Sequence, residues 1–334
     1  MTTPRLPAIA LLGTGGTIAS TAAQSSTVTD YEVTEGVRAL LDAVPEIRPL
    51  AALEPMQVFN VDSRCITNAM LLELGQTVQA VLDKPDVEGA VITHGTDSLE
   101  ETAYFLNLVL KSSKPVVLVG AMRPGSAISA DGPLNLFNAV LLAAAPQSRG
   151  LGVMITLNGA VHAARYAAKR HTTDVQAFSS DEDGCLGHVH GGHVAIVRAP
   201  GHPHTLDTPF SMEALRNTAA LPQVDILYDH QDAGPHLYEA SIRAGSRGIV
   251  VAGMGNGSLS PQAEAGLAQA SRQGIICVRA TRTGAGPVSA SRHDAKRGLV
   301  SAGTLNPQKA RILLMLALAR GDSRAQVQAC FDRY

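Results

Sequence analysis

Short apolar runs alternate with segments of helical periodicity along most of the chain. The runs predict strands because they are brief, rich in β-branched residues and bounded by turn-forming residues. In the first half of the chain the predicted strands are residues 8–12, 56–61, 89–93, 115–119 and 152–157, and the predicted helices are residues 34–44, 67–82, 98–110 and 131–145. This alternation predicts an α/β fold with a doubly wound, mostly parallel sheet.

The predicted helix at residues 98–110 has the clearest sequence signal for a helix N-terminus. Ser98 precedes Glu101 by three residues, which is the spacing of a capping box. Four bulky residues then recur at helical spacing: Tyr104, Phe105, Leu108 and Val109. We therefore expect this helix to bury one face against the sheet.

The alternation lapses between residues 199 and 223, where Pro, His, Thr and Asp dominate. It resumes with predicted strands at residues 224–228, 248–252 and 275–279 and predicted helices at residues 261–272, 307–320 and 323–332. We therefore expect a large N-terminal α/β domain with the reactive groups over residues 1–200, a linker over residues 201–223, and a smaller Rossmann-like α/β domain over residues 224–334.

The composition and charge of the chain limit the kinds of molecule that it is expected to bind. Apolar residues make up 45% of the chain and charged residues 17%, so a large buried core is expected. The formal net charge is −2 and the basic residues are scattered, which argues against nucleic acid and anionic membranes and favours a small-molecule substrate. The start of the chain lacks the uninterrupted apolar run of an export signal, so we expect a cytoplasmic protein, or a periplasmic one if a signal has been removed.

Two predicted strands end in loops that carry hydroxyl groups. Gly13-Thr14-Gly15-Gly16-Thr17 follows the first strand, and Thr93-His94-Gly95-Thr96-Asp97 closes the strand at residues 89–93 and precedes a helix. Ligands of open parallel sheets bind beyond the carboxyl ends of the strands, so we expect both loops to face one cleft. A lysine held by Asp97 is a suitable base for a threonine nucleophile, and Lys169 is our candidate, although the local pattern alone does not single it out.

Each loop also has a simpler interpretation. The first is compatible with an ordinary glycine turn, or with a dinucleotide-binding loop served by Asp62, although Ile18 stands where the third glycine is required. In the second, Thr96 and Asp97 are both common helix caps.

Several stretches of the sequence resemble the bacterial L-asparaginase and glutaminase-asparaginase family. The stretches are TGGTIAS around Thr17, VITHGTDSLEETAYF around Thr96, KPVVLVGAMRP at residues 114–124, SADGPLNL at 129–136, TTDV at 172–175, GNGSL at 255–259 and GTLNPQKAR at 303–311. The resemblance covers nearly the whole chain and implies an amidohydrolase of L-asparagine without a cofactor or a metal ion.

The resemblance also implies roles for individual residues. Thr17 matches the nucleophile, and Tyr31 matches a tyrosine on a mobile loop, residues 20–30 here, that closes over the substrate. Thr96, Asp97 and Lys169 match a second triad, in which Lys169 is the base and Asp97 also binds the substrate ammonium group.

Further matches concern substrate binding and assembly. Ser63 matches the serine that holds the substrate α-carboxylate, and Asn256 matches a residue lent by a neighbouring subunit. The resemblance therefore implies a homo-oligomer, typically a tetramer of two tight dimers. Our mechanistic hypothesis adds backbone N–H groups near Thr96 and Ala121 as stabilisers of the oxyanion.

The sequence departs from the family pattern at three places. Arg64 stands where the family usually has Gln or Glu, Ser98 replaces the commoner Thr, and the loop at residues 284–294 is short, so that Ser291 falls where an acidic residue is expected. Arg64 and Ser291 leave open whether the chain prefers asparagine or glutamine.

Three other functions each account for part of the sequence less well. The histidines of His188-Val189-His190-Gly191-Gly192-His193, with His202 and His204, look like metal ligands, but their order does not fit a metal-dependent amidohydrolase. The asparaginase-like subunit of tRNA-dependent amidotransferases has an additional N-terminal domain and would need a basic surface. A binding-only amino-acid sensor has no need to retain Thr17, Thr96, Asp97 and Lys169 together.

Overall fold

The computed structural model describes residues 5–26, 31–218 and 220–334. The chain forms two compact units, Met1–Glu213 and Ala214–Tyr334. The division falls inside the segment 201–223 in which the sequence pattern lapses, and each unit is built on its own sheet.

The first unit is organised around one large sheet. Its strands in chain order are β1 (Ala8–Gly15), β2 (Ser20–Ala22), β3 (Tyr31–Val33), β4 (Ala52–Val61), β5 (Gly89–Thr93), β6 (Val116–Val119), β7 (Val153–Leu157), β8 (Ala160–Ala163), β9 (Ala168–Lys169), β10 (Phe178–Ser179), β11 (Gly187–His190) and β12 (His193–Ile196). Among the described residues, eight of them form a sheet in the order β12-β11-β8-β7-β6-β5-β1-β4. The pairs from β7 to β4 are parallel and the remaining three pairs are antiparallel, so the predicted mostly parallel sheet is confirmed.

The strand order changes direction at β1. The chain places β4 on one side of β1 and β5 on the other, which creates a topological switch point at their carboxyl ends. Both β1 and β5 are almost wholly buried, in keeping with their apolar sequences. By contrast, β4 lies at the edge of the sheet, where Pro55 is tolerated because no neighbour requires its N–H.

Helices cover the sheet. The helices of this unit are α1 (Val37–Ala43), α2 (Asn68–Leu82), α3 (Leu99–Val109) and α4 (Gly132–Ala144). Helix α1 begins later than predicted because the backbone N–H groups of Thr34 and Glu35 both donate to Ala19 O. Helix α2 begins after Thr67, whose hydroxyl accepts the N–H of Met70 at 3.2 Å, as its sequence predicts.

The capping-box prediction for α3 was wrong. Ser98 occupies the N-cap position, but its hydroxyl makes no capping bond and instead donates to Ser63 O at 2.8 Å. The four bulky residues predicted to share one face are buried, and so is every other residue of α3 except Glu101. Helix α3 is therefore an internal helix, and its N-cap residue Ser98 is tied to the loop after β4.

The second unit repeats the alternation on a smaller scale. Its elements are β13 (Val224–Tyr228), α5 (His236–Arg243), β14 (Gly248–Gly253), α6 (Pro261–Arg272), β15 (Ile276–Thr281), α7 (Arg292–Arg297), β16 (Leu299–Ser301), α8 (Pro307–Arg320) and α9 (Arg324–Phe331). The strands form a parallel sheet in the order β13-β14-β15-β16. Across the described parts of both units, no helix has the length and apolar character needed to cross a membrane.

Candidate active site

Three loops at the switch point lie in close contact, and two of them touch through their backbones. Gly16 has a φ of 82° and a ψ of −177°, a conformation that is essentially restricted to glycine. A Cβ at Gly16 would lie 2.2 Å from both the Cα and the N of Gly95. A Cβ at Gly95 would in turn lie 2.6 Å from the hydroxyl oxygen of Ser63. Glycine at these two positions is thus what allows the loops after β1, β4 and β5 to meet.

Hydrogen bonds hold the same loops together. The hydroxyl of Thr14 donates to Thr93 O at 2.7 Å, and the N–H of Gly16 donates to Val61 O at 3.0 Å. These bonds join β1 to both of its neighbours just before the reactive residues, so the positions of the residues that follow are fixed by the sheet.

A cavity of about 410 Å³ opens at this edge of the sheet. Ten residues line it, and all but Met122 have polar side chains: Thr17, Tyr31, Asp62, Arg64, Thr96, Asp97, Met122, Lys169, Thr172 and Thr173. All five residues predicted to be catalytic are among them.

Thr17 lies at the floor of the cavity next to a tyrosine. It opens a short 3₁₀ turn, Thr17–Ala19, and is only 4% exposed. Its hydroxyl donates to Tyr31 Oη at 2.7 Å. Tyr31 is held by the antiparallel pairing of β3 with β2, in which it faces Ala22. Part of the predicted mobile loop, residues 27–30, lies outside the described residues.

Thr96 lies in a second hydrogen-bonded group. Lys169 Nζ donates to Thr96 Oγ1 at 2.9 Å and to Asp97 Oδ1 at 2.6 Å. The Lys169 side chain is 17% exposed, whereas that of Asp97 is 59% exposed and faces the cavity mouth. The side chains of Thr96 and Asp97 are therefore engaged by Lys169, and the N-cap position of α3 belongs to Ser98.

Two predicted binding residues lie beside the cavity. Ser63 is buried against Gly95, and Ala121 is fully buried after β6. Neither lines the cavity, although their sequence neighbours Asp62, Arg64 and Met122 do.

Arg64 adds a positive charge to the cavity wall. Its Nε lies 3.1 Å from Asp62 Oδ2, and its side chain is 77% exposed. Arg64, which stands where the family usually has Gln or Glu, thus places a guanidinium group at the cavity rim and pairs it with the carboxylate of Asp62.

The remaining predicted binding residues, Asn256 and Ser291, lie together in the second unit. Asn256 Oδ1 accepts the N–H of Ser289 at 2.8 Å, and the N–H of Ser291 donates to Asp294 Oδ2 at 2.6 Å. Arg279 connects the two, because it donates to Asn256 O at 2.9 Å and to Asp294 Oδ1 at 3.0 Å.

Sequence reasoning missed two buried ionisable residues next to the reactive loop. His94 is fully buried, its Nδ1 lies 2.7 Å from Gly95 O, and desolvation lowers its pKa to about 4. Glu100 is 3% exposed, and its carboxylate accepts the backbone N–H of Lys169. The adjacent acids Glu100 and Glu101 were visible in the sequence, but helical pattern does not reveal which of them turns inward.

The histidine-rich segment forms the outer hairpin of the large sheet. His188 and His190 of β11 alternate with buried residues and are exposed, as is His193 of β12. In the described parts of the chain, no group of three His, Cys, Asp or Glu side chains is arranged to hold a metal ion.

Comparison with known proteins identifies the family. The model of the asparaginase N-terminal domain matches residues 8–201, and that of the glutaminase/asparaginase C-terminal domain matches residues 223–331. The chain is 46% identical to L-asparaginase 2 of Bacillus subtilis over 98% of this chain and 87% of that protein. It is 45% identical to L-asparaginase 2 of Escherichia coli over 98% of this chain and 94% of that protein.

A solved structure is similar over the same extent. The probable cytoplasmic L-asparaginase of Campylobacter jejuni superposes with a TM-score of 0.95 and is 42% identical, with 98% of this chain and all of that chain covered. The chain therefore belongs to the asparaginase family of amidohydrolases.

Proposed function

We propose that the protein hydrolyses the side-chain amide of L-asparagine to L-aspartate and ammonia, with Thr17 as the nucleophile. One observation supports this most: a single cavity contains two threonine hydroxyls, each hydrogen-bonded to a group that can exchange a proton. Thr17 is paired with Tyr31, and Thr96 with Lys169. A hydroxyl of this kind becomes an effective nucleophile only when a neighbour accepts its proton.

The first half of the reaction transfers the acyl group to the protein. Thr17 Oγ1 attacks the amide carbon as its proton passes to the Tyr31 oxygen and the phenol proton of Tyr31 passes on to the amide nitrogen. Backbone N–H groups near Thr96 and Ala121 stabilise the oxyanion by a few kcal/mol each. The carbon–nitrogen bond then breaks, and the nitrogen, which has received the proton relayed by Tyr31, leaves as ammonia. A β-aspartyl ester on Thr17 remains.

The second half releases aspartate. Water attacks the ester as one of its protons passes through Thr96 to Lys169. The bond to Thr17 breaks as Lys169 gives that proton back to the Thr17 oxygen. Asp97 holds Lys169 and also binds the substrate ammonium group, while Ser63 orients the α-carboxylate. Holding both ends of the substrate places its amide carbon within reach of Thr17.

The active assembly in this proposal is a homotetramer made of two dimers. Asn256 and Ser291, which lie close together in the second unit, are the groups that a neighbouring subunit would contribute. The reaction needs neither a cofactor nor a metal ion, because every proton acceptor is a side chain. The cytoplasmic location stays a prediction.

A glutaminase-preferring enzyme is the second candidate. It is favoured by Arg64 at the cavity rim, since a cation there repels the ammonium group of a closely bound amino acid and alters the position of the substrate. Glutamine has one more methylene group than asparagine. Its amide could therefore reach Thr17 while its ammonium group binds at a different place in the cavity.

Ammonia release from L-asparagine and L-glutamine by the same preparation tests the proposal. We expect a higher kcat/KM for asparagine, and we expect Thr17→Ala to lose turnover while it keeps its fold. A reversed preference would establish the glutaminase instead. Binding of asparagine without ammonia release would contradict an enzymatic role.

A further inference from the structure

A buried carboxylate lies behind the proposed base. Glu100 is 3% exposed, and its Oε2 accepts the backbone N–H of Lys169 at 2.7 Å, although the two residues are 69 positions apart in sequence. Carboxylates are rarely buried this fully unless hydrogen bonds compensate for the loss of water. The mechanism above uses the side chain of Lys169 but assigns no role to Glu100.

Lys169 needs such an anchor because its own secondary structure is slight. Strand β9 has two residues and, among the described strands, pairs with β10 alone, where Lys169 faces Phe178. A ladder of this length is too short to be rigid by itself. Yet Lys169 Nζ must stay within hydrogen-bonding distance of both Thr96 and Asp97.

The start of α3 supplies contacts to both ends of Lys169. Thr96 and Asp97, which precede the N-cap residue Ser98, bind its Nζ, and Glu100 in the first helical turn binds its backbone. The N-terminal end of a helix also favours a carboxylate, because the helix dipole and free N–H groups are positive there. One rigid element therefore fixes Lys169 at two points.

We propose that Glu100 is a positioning residue for the reaction: its carboxylate holds the Lys169 backbone so that Nζ is aligned with Thr96. The inference rests on the proposed function, in which Lys169 is the base. Glu100 does not line the cavity and acts through the hydrogen bond to Lys169.

Two substitutions distinguish the effect of the hydrogen bond to Lys169 from the effect of filling the buried site. Glu100→Ala removes the acceptor, whereas Glu100→Gln keeps an oxygen at the same place. Because displacement of a catalytic group by about 1 Å can cost on the order of 100-fold in rate, we expect Glu100→Ala to lower kcat about 10- to 100-fold with KM changed less than about 3-fold. Glu100→Gln should retain kcat within about 3-fold, because the amide oxygen can replace the carboxylate as acceptor.

Asn107 provides the matched control on the same helix. It is buried, and its Oδ1 accepts the backbone N–H of Val153 at 3.0 Å, so Asn107→Ala removes the same kind of bond away from the cavity. We expect this variant to lose stability but to keep kcat within about 2-fold of the unsubstituted enzyme.

Each other outcome overturns the inference. Wild-type kcat in a folded Glu100→Ala variant, an equal loss in Glu100→Gln, or an equal loss in Asn107→Ala would each exclude positioning by this hydrogen bond. If Glu100→Ala does not fold, Glu100→Asp replaces it: the shorter side chain should also lower kcat, and unchanged kcat overturns the inference. Lys169→Met is assayed in parallel, since wild-type turnover in that variant contradicts the proposed function itself.

Discussion

At the scale of single residues, the hydroxyl of Tyr31 is the group closest to Thr17 that can take part in proton transfer. The bond between them spans 2.7 Å, and Tyr31 lines the cavity from the hairpin of β2 and β3. In the proposed mechanism, Tyr31 therefore both lines the cavity and orients the Thr17 hydroxyl for attack.

Tyr31→Phe removes the hydroxyl and leaves the ring. We expect kcat/KM for asparagine to fall about 100-fold, the usual size of a lost proton-transfer partner. Tyr166→Phe is the control, because the Tyr166 hydroxyl bonds to His202 and to Gly201 and does not line the cavity. Equal activity of the two variants would show that Tyr31 has no part in the chemistry.

His94 links the reactive loop to the pH dependence of stability. Burial lowers its pKa from 6.5 to about 4, so between these values the unfolded chain binds a proton that the folded chain does not. The contribution of neutral His94 to the free energy of unfolding is therefore fully present above pH 6.5 and is lost as the pH falls toward 4.

The sensitive comparison is with His94→Gln, whose amide can still donate to Gly95 O. Between pH 7 and pH 5, the free energy of unfolding of the unsubstituted protein should fall by about 2 kcal/mol more than that of the variant. Urea denaturation at the two pH values measures this difference. Parallel pH dependences would mean that His94 is protonated in the folded protein.

At the scale of elements, the site depends on how closely the loops after β1 and β5 approach. Gly16→Ala places a Cβ 2.2 Å from Gly95 and puts alanine in a backbone conformation that it avoids. We expect the loops to separate and kcat to fall by about 100-fold or more.

Gly150→Ala is a control that separates the backbone strain of alanine at a positive φ from a steric clash of the added Cβ. Gly150 also has a positive φ, 75°, but a Cβ there would meet nothing within 4 Å. This variant should lose about 1 kcal/mol of stability and keep full activity. Ammonia release and thermal unfolding of the two variants test the contact, and an active Gly16→Ala enzyme would show that the loops need not touch.

Elements that are long or wholly buried could be predicted from the sequence. Strand β5 has its predicted ends because its five positions are all buried, three of them at the apolar residues Ala90, Val91 and Ile92, and a polar loop follows. Strand β4 is longer than predicted, since Pro55 discouraged an extension that an edge strand permits. Strand β9, which carries Lys169, was missed because two residues show no periodicity.

The contacts within the site were less accessible to sequence reasoning. The convergence of the Thr17 and Thr96 loops follows from strand-end chemistry, but Lys169 was placed by resemblance alone. Ser98 illustrates the reason: its spacing from Glu101 predicts a cap, yet its hydroxyl binds Ser63 O because folding brings that loop to within 2.8 Å. A local preference for capping is therefore overridden when a carbonyl that is remote in sequence lies close in space.

At the scale of the whole molecule, the proposed tetramer predicts active sites shared between subunits. Thr17→Ala subunits retain Asn256, and Asn256→Ala subunits retain Thr17. If a site takes Thr17 from one subunit and Asn256 from its neighbour, randomly mixed tetramers should have both residues at about one site in four.

The mixture is prepared by joint unfolding and refolding of the two inactive or weakened variants. We expect turnover clearly above the mean of the separate preparations, and light scattering should give the mass of a tetramer. Turnover equal to the mean would place Asn256 outside the site of the neighbour.

The choice between the two threonines is tested most directly by trapping the acyl-enzyme. Asparagine is mixed with the enzyme, the reaction is quenched with acid within one turnover, and the digested protein is analysed by mass spectrometry. The account predicts an aspartyl group on the peptide that contains Thr17 and its absence in Thr17→Ala. An aspartyl group on the peptide that contains Thr96, or full turnover without an adduct on either peptide, would contradict the account.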